Sequence, residues 1–154
     1  KGTYIRTLCH QIGSEIGGSH LVELRRTRVG PFTESRAITM QKIAFSYSQW
    51  KEKNLENIRQ YILPVEQAVQ HLGKIIVKDS AVWNIANGSP LYSKGICRIQ
   101  KDIKKNDMVA IFTLKGELIA IGSSLCDATK IPRIVAEPEK ILLDKNTYPR
   151  IKKK

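Results

Sequence analysis

Apolar residues recur at helical spacing near the start of the chain. Ile5, Leu8, Cys9, Ile12 and Ile16 stand at offsets of 0, 3, 4, 7 and 11, which predicts an amphipathic helix. Gly17-Gly18-Ser19 stops it, because glycine accepts the left-handed backbone that a helix end needs. His20 to Val29 then reads as a strand closed by Gly30-Pro31. Leu21, Glu23, Arg25 and Thr27 would share one face, and Val22, Leu24, Arg26 and Arg28 the other. Neither face is cleanly apolar, so a polar cleft is expected beside this strand. Residues 39–71 return to helical texture. Thr39 starts one helix, Asn54 caps a second, and Pro64 sits in the first turn of a third. The most polar stretch, 51–57, is the expected surface connection.

After Gly73 the pattern shifts to short strands. Ile75-Ile76-Val77 is one, followed by a short helix capped by Asp79 or Ser80 and ended by Asn87-Gly88. Gly95–Gln100, Met108–Thr113 and Glu117–Ile121 are three more, and Ile134-Val135-Ala136 is a closing strand. Leu114-Lys115-Gly116 makes a tight hairpin in which Gly116 supplies the positive φ. Short strands at this spacing predict a small barrel. The fold class is therefore α+β: a mostly helical piece over residues 1–72, then a small β-barrel over 73–154.

Composition narrows the field. The chain has 154 residues and 42% hydrophobic content, enough for one domain or two small ones. No apolar run approaches the roughly 18 residues of a membrane span, and the first residues lack a signal-peptide shape. Cys9, Cys97 and Cys126 are odd in number and widely spaced, which argues against a disulfide framework and favours a reducing compartment. The net charge of +12 attracts polyanions. Residues 1–72 hold 10 Lys and Arg against 6 Asp and Glu, and residues 73–154 hold 16 against 8. Arg150-Ile151-Lys152-Lys153-Lys154 is a basic tail suited to phosphates.

No hydrolytic triad, phosphate loop or dinucleotide fingerprint is present. His10, His20 and His71 stand outside any metal-ligand spacing, so metal catalysis has no support. The first thirty residues gather Lys1, Tyr4, Arg6, Arg25, Arg26 and Arg28 around two glycine-rich turns. An aromatic ring among guanidiniums suits a base stacked beside its phosphate. Trp83, at helical spacing from Ala86 and Asn87, reads as a core residue.

Lys1-Gly2-Thr3-Tyr4-Ile5-Arg6-Thr7-Leu8 and His20-Leu21-Val22-Glu23-Leu24-Arg25-Arg26-Thr27-Arg28-Val29-Gly30-Pro31-Phe32 closely resemble the C-terminal part of the TruB-type pseudouridine synthase catalytic domain. The region from Ile75-Ile76-Val77-Lys78-Asp79-Ser80 through Asn87-Gly88-Ser89-Pro90 to Leu114-Lys115-Gly116-Glu117 resembles the PUA domain that follows it. Asp144-Lys145-Asn146-Thr147-Tyr148-Pro149-Arg150 is similar to the ending of the archaeal and eukaryotic, dyskerin-like branch.

The resemblance implies an RNA-guided isomerase that turns uridine into pseudouridine in rRNA or tRNA, within an H/ACA ribonucleoprotein. It would be cytoplasmic if archaeal and nucleolar if eukaryotic. The implied partners are guide RNA, substrate RNA and the small H/ACA core proteins, with no membrane and no metal or organic cofactor. The family's catalytic aspartate, in a Gly-x-x-Asp-Pro-type motif, is not in this sequence. The chain is thus expected to begin inside the catalytic domain, to be inactive alone and to expose apolar surface. By similarity Arg6 pairs with that aspartate, Leu24 packs beside the target base, and Tyr4 belongs to the same motif. Gly17-Gly18-Ser19-His20 is one residue shorter than the family's Gly-x-Gly-Ala-His turn. The implied RNA-binding residues are Arg25, Arg26, Arg28, Lys78, Asn87, Gly88, Ser89, Pro90, Leu91, Tyr92 and Lys94. Two alternatives stand beside this reading: a non-catalytic PUA RNA-binding protein, and a stand-alone tRNA pseudouridine synthase.

Overall fold

A computed structural model describes residues 2–52 and 56–151. The chain divides into two compact units, Lys1–Ala37 and Ile38–Lys154. In the first, helix α1 covers Ile5–Ile16 and ends on Gly17 in the left-handed region. The shortened turn closes against the helix at Gly13, whose carbonyl accepts the Gly18 N–H at 2.7 Å. A Cβ on Gly13 would collide with the Ser19 backbone, and the Ser19 hydroxyl donates to the Cys9 carbonyl. The apolar stripe of α1 stays largely uncovered within its unit, with Ile16 71% exposed.

The strand expected over His20–Val29 does not form. Only its end, β1 (Arg28–Val29), pairs, with β2 (Phe32–Thr33) across Gly30-Pro31. Leu21–Arg26 belongs to no ladder among the described residues. An alternating sequence becomes a strand only where a neighbour takes its backbone hydrogen bonds.

In the second unit, α2 (Met40–Lys51) starts at Thr39, whose hydroxyl accepts the Lys42 N–H at 3.4 Å. A short α3 covers Glu56–Tyr61; the expected cap Asn54 lies outside the described residues. Pro64 precedes a 3₁₀ turn, Val65–Val69, in place of a third α-helix. Strand β3 (Gly73–Val77), α4 (Asp79–Ala86), β4 (Leu91–Tyr92), β5 (Ile96–Ile99), β6 (Met108–Phe112), β7 (Leu118–Ser124) and β8 (Ile134–Ile141) follow. Lys78, rather than Asp79 or Ser80, is the residue before α4, and no side chain caps it.

The strands form one sheet in the order β4-β8-β7-β6-β3-β5, antiparallel except for the parallel β3–β6 pair. Its two outer strands, β4 and β5, are joined by Ser93–Gly95 alone. Six flat strands would put the outer pair about 24 Å apart, whereas that connection reaches about 15 Å at most. The sheet therefore rolls up, which is the expected barrel.

Strand periodicity sorts its two faces. Ile75, Val77, Val109, Ile111 and Ile119 point inward against Val82 and Ile85 of α4. Ala110, Phe112 and Leu118 point outward with Ile76, where Val69 and Leu72 pack against them. The Leu118 N–H also donates to the Glu66 carboxylate at 3.1 Å. The segment before Gly73 thus packs on the barrel's outer face. No helix is long and apolar enough to cross a membrane among the described residues.

Candidate nucleic-acid interface

An open groove of about 830 Å³ runs along α4. Helical periodicity builds one wall: Val82, Ile85 and Ala86 turn inward, which leaves Ser80, Trp83 and Asn84 facing the groove. Pro90–Gly95 supplies the opposite wall, with Arg133 beside it. The Ser93 N–H donates to the Arg133 carbonyl at 3.0 Å, which fixes these two segments together. Lys94, Arg133 and Arg150 bring three cations to the lining, and no lining residue is acidic. The Arg150 guanidinium lies 5.0 Å from the Trp83 ring centre, within reach of the attraction between a cation and an aromatic face. Two aromatic rings, Trp83 and Tyr92, among cations suit unpaired bases and their phosphates.

The chain reaches Arg150 by a braced route. The Leu142 and Leu143 N–H groups both donate to Ile119, at 2.9 and 3.1 Å. Asp144 turns the chain, accepting from the Asn146 N–H through its carboxylate at 2.8 Å. Tyr148 packs on the inner core and donates its hydroxyl to Glu117, which also accepts from the Thr113 hydroxyl at 3.1 Å. The tyrosine hydrogen bond holds the Glu117 carboxyl below the ordinary carboxylate value and pushes the Tyr148 hydroxyl above its own.

Of the residues singled out in sequence, Pro90, Leu91, Tyr92 and Lys94 line this groove. Leu91 is 1% exposed and packs into the core beneath the groove. Lys78, Asn87, Gly88 and Ser89 stand outside the lining. The Asn87 amide is engaged in ending α4, donating to the Trp83 carbonyl at 2.8 Å. Gly88, at φ +87°, makes the reversal after it. Trp83 corrects the core reading: it is half-buried and forms the groove wall. The readable signal was its place on the same helix face as Ser80, Asn84 and Asn87, all polar. Arg133 was missed entirely, since it lies in a loop and meets the groove only through folding.

In the first unit, Arg6 lines a shallow depression with His10, Ser19, His20 and Leu21. Tyr4, Leu24, Arg25, Arg26 and Arg28 stand outside that lining. Tyr4 is 79% and Leu24 62% exposed. Arg25 forms an ion pair with Glu34, and the Arg28 Nε donates to the Gly30 carbonyl at 3.0 Å. Two of the three arginines thus brace the β1–β2 turn. Lys1 lies outside the described residues. Among those residues no group of three or more His, Cys, Asp or Glu side chains is arranged to hold a metal ion.

Residues 73–142, which hold the rolled six-stranded sheet and most of the groove along α4, match the PUA domain family. Residues 6–70 match the tRNA pseudouridylate synthase B C-terminal domain. The chain thus carries, in order, a region matching the tRNA pseudouridylate synthase B C-terminal domain and a region matching the PUA domain. It is 44% identical over 156 residues to the probable tRNA pseudouridine synthase B of Archaeoglobus fulgidus, covering 97% of this chain and 48% of that protein. The corresponding protein of Methanopyrus kandleri is 41% identical, with 97% and 46% covered.

Among solved structures, that of an archaeal box H/ACA sRNP Nop10–Cbf5 complex matches with a TM-score of 0.85 and 43% identity, over 97% of this chain and 50% of that one. An H/ACA RNP bound to a substrate RNA containing 2'-deoxyuridine matches at 0.83 and 42%, over 97% and 49%. The chain spans about half the length of the curated relatives it matches.

Proposed function

We propose that this chain is the RNA-anchoring half of an RNA-guided pseudouridine synthase. In this reading residues 73–154 grip the guide RNA at its lower stem and ACA trinucleotide, and residues 1–72 serve the catalytic domain. The carrying observation is the groove in which Trp83 and Tyr92 stand among Lys94, Arg133 and Arg150 with no acid in the lining. The three cations suit contacts to phosphate, and the aromatic faces suit unpaired bases.

Arg6 would act in the other half of the reaction. A guanidinium presents a planar fork that keeps a carboxylate ionised and oriented, which is what a catalytic aspartate working on a flipped uridine requires. Tyr4 and Leu24, both exposed in this unit, would border the target base. The exposed face of α1 would pack against the rest of the catalytic domain, and the small H/ACA core proteins would complete the particle.

The name of the curated relatives, a tRNA pseudouridine synthase, supports a second reading in which the RNA is a tRNA arm and no guide is used. Binding of the chain to an H/ACA hairpin, to the same hairpin with the ACA replaced, and to a tRNA, each at two salt concentrations, separates the readings. The guided reading predicts tightest binding to the intact hairpin, with the ACA preference surviving the higher salt. Equal and salt-sensitive binding to all three would reduce the groove to a general cationic surface. A preference for tRNA would favour the stand-alone enzyme.

A further inference from the structure

One feature of the groove is built from outside it. Arg150 reaches the Trp83 ring from a segment that belongs to no strand or helix. Such a segment would ordinarily sample many positions, and an arginine on it would give little to a binding site. Here the segment is tied down two residues earlier. Tyr148 lays its ring on the inner core and donates its hydroxyl to Glu117, at the far end of the Leu114-Lys115-Gly116 hairpin. Glu117 is itself held by the Thr113 hydroxyl, and the Thr113 side chain is buried and accepts the Lys115 and Glu117 N–H groups at 3.2 and 3.1 Å. The Lys115 ammonium stands 5.6 Å from the centre of the Tyr148 ring.

The link between anchor and arginine is stiff. Pro149 fixes its own φ and restricts the residue before it, which is Tyr148. Few soft torsions remain between the pinned phenol and the Arg150 side chain. We infer that Tyr148 and Glu117 are positioning residues for the RNA-binding groove: their hydrogen bond, on the hairpin, sets Arg150 over Trp83 and so completes the cationic wall. The inference rests on the groove's being the RNA site and adds two residues outside the lining to what determines affinity.

The test measures binding of the chain to the ACA-bearing hairpin over a range of salt concentrations, with thermal unfolding of each variant alongside. Tyr148→Phe keeps the packed ring and removes the donor; Glu117→Ala removes the acceptor from the other side; Arg150→Ala removes the placed cation. Arg150→Ala is expected to lower the slope of log affinity against log salt by about 0.7–0.9, one phosphate contact. Tyr148→Phe and Glu117→Ala should each weaken binding roughly threefold to tenfold, the scale of one lost charge-assisted hydrogen bond in a partly exposed setting. Both losses should vanish when Arg150 is already Ala, because coupled residues are not additive.

A structural role alone would shift the melting temperature while leaving the same loss in both backgrounds, and that result overturns the inference. So does full affinity in Tyr148→Phe while Lys94→Ala and Arg133→Ala bind weakly, an outcome that leaves the groove reading intact. If Lys94→Ala and Arg133→Ala also bind normally, the groove is not the RNA site and both readings fall together.

Discussion

Glu117 and Tyr148 form a pair whose titrations move apart. The hydrogen bond from the phenol lowers the carboxyl of Glu117 and raises the hydroxyl of Tyr148. A carboxyl depressed in the folded chain contributes above its ordinary value and loses that contribution as pH falls through the depressed one. A phenol raised in the folded chain contributes below its ordinary value and loses that as pH rises through the raised one. The brace on the C-terminal segment is therefore intact across neutral pH and released at both extremes. Ring-carbon NMR should show Tyr148 ionising above the ordinary tyrosine value, with Glu117→Gln moving that titration downward. An unchanged titration in Glu117→Gln would mean the pair is not formed in solution. The same scale shows what residue-level reading supplies. The Gly116 turn is readable because glycine takes its φ of +86° without steric cost. The Tyr148–Glu117 contact is not, because a separation of 31 residues leaves no local trace.

At the scale of elements, close approach between strands β7 and β8 has a single dependency. Gly122 stands opposite Pro138 at a register shift, and a Cβ there would collide with the Glu137 backbone carbonyl. Backbone cannot yield as a flexible side chain can, so Gly122→Ala should destabilise the second unit by about 1–3 kcal/mol. Denaturant unfolding measures it; a midpoint equal to that of the unaltered chain would contradict the account.

Most of the barrel's strands were legible in the sequence, because Ile75-Ile76-Val77 and Met108–Phe112 are apolar on both faces and both faces are covered. Strand β8 runs five residues past the expected Ala136, its charged outer positions having hidden the period. Strand β4 has two residues and takes its identity from pairing with β8, so it carries no pattern of its own. The expected strand over His20–Val29 failed for the converse reason: an alternating pattern with no neighbour on Leu21–Arg26.

For the molecule as a whole, the formal charge of +12 gives long-range attraction to RNA but no selectivity. In the proposed reading selectivity comes from the groove, where cations from the Ser93–Gly95 connection, the loop before β8 and the C-terminal segment converge on one helix face. Sequence reading named Pro90, Leu91, Tyr92 and Lys94, which form one wall of this groove. It placed Lys78 and Asn87 with that wall and left out Arg133, since only the rolled sheet decides which loops meet.

The chain contains two tryptophans, and this gives the groove a direct test. Trp83 lies in the groove, whereas Trp50 lies on α2, stacked 5.5 Å from Tyr47. Indole N–H NMR signals recorded while the ACA-bearing hairpin is added should show the Trp83 signal shifting with saturation and the Trp50 signal holding still. A Trp83 signal that stays in place while the RNA binds would contradict the central claim that this groove is the RNA anchor.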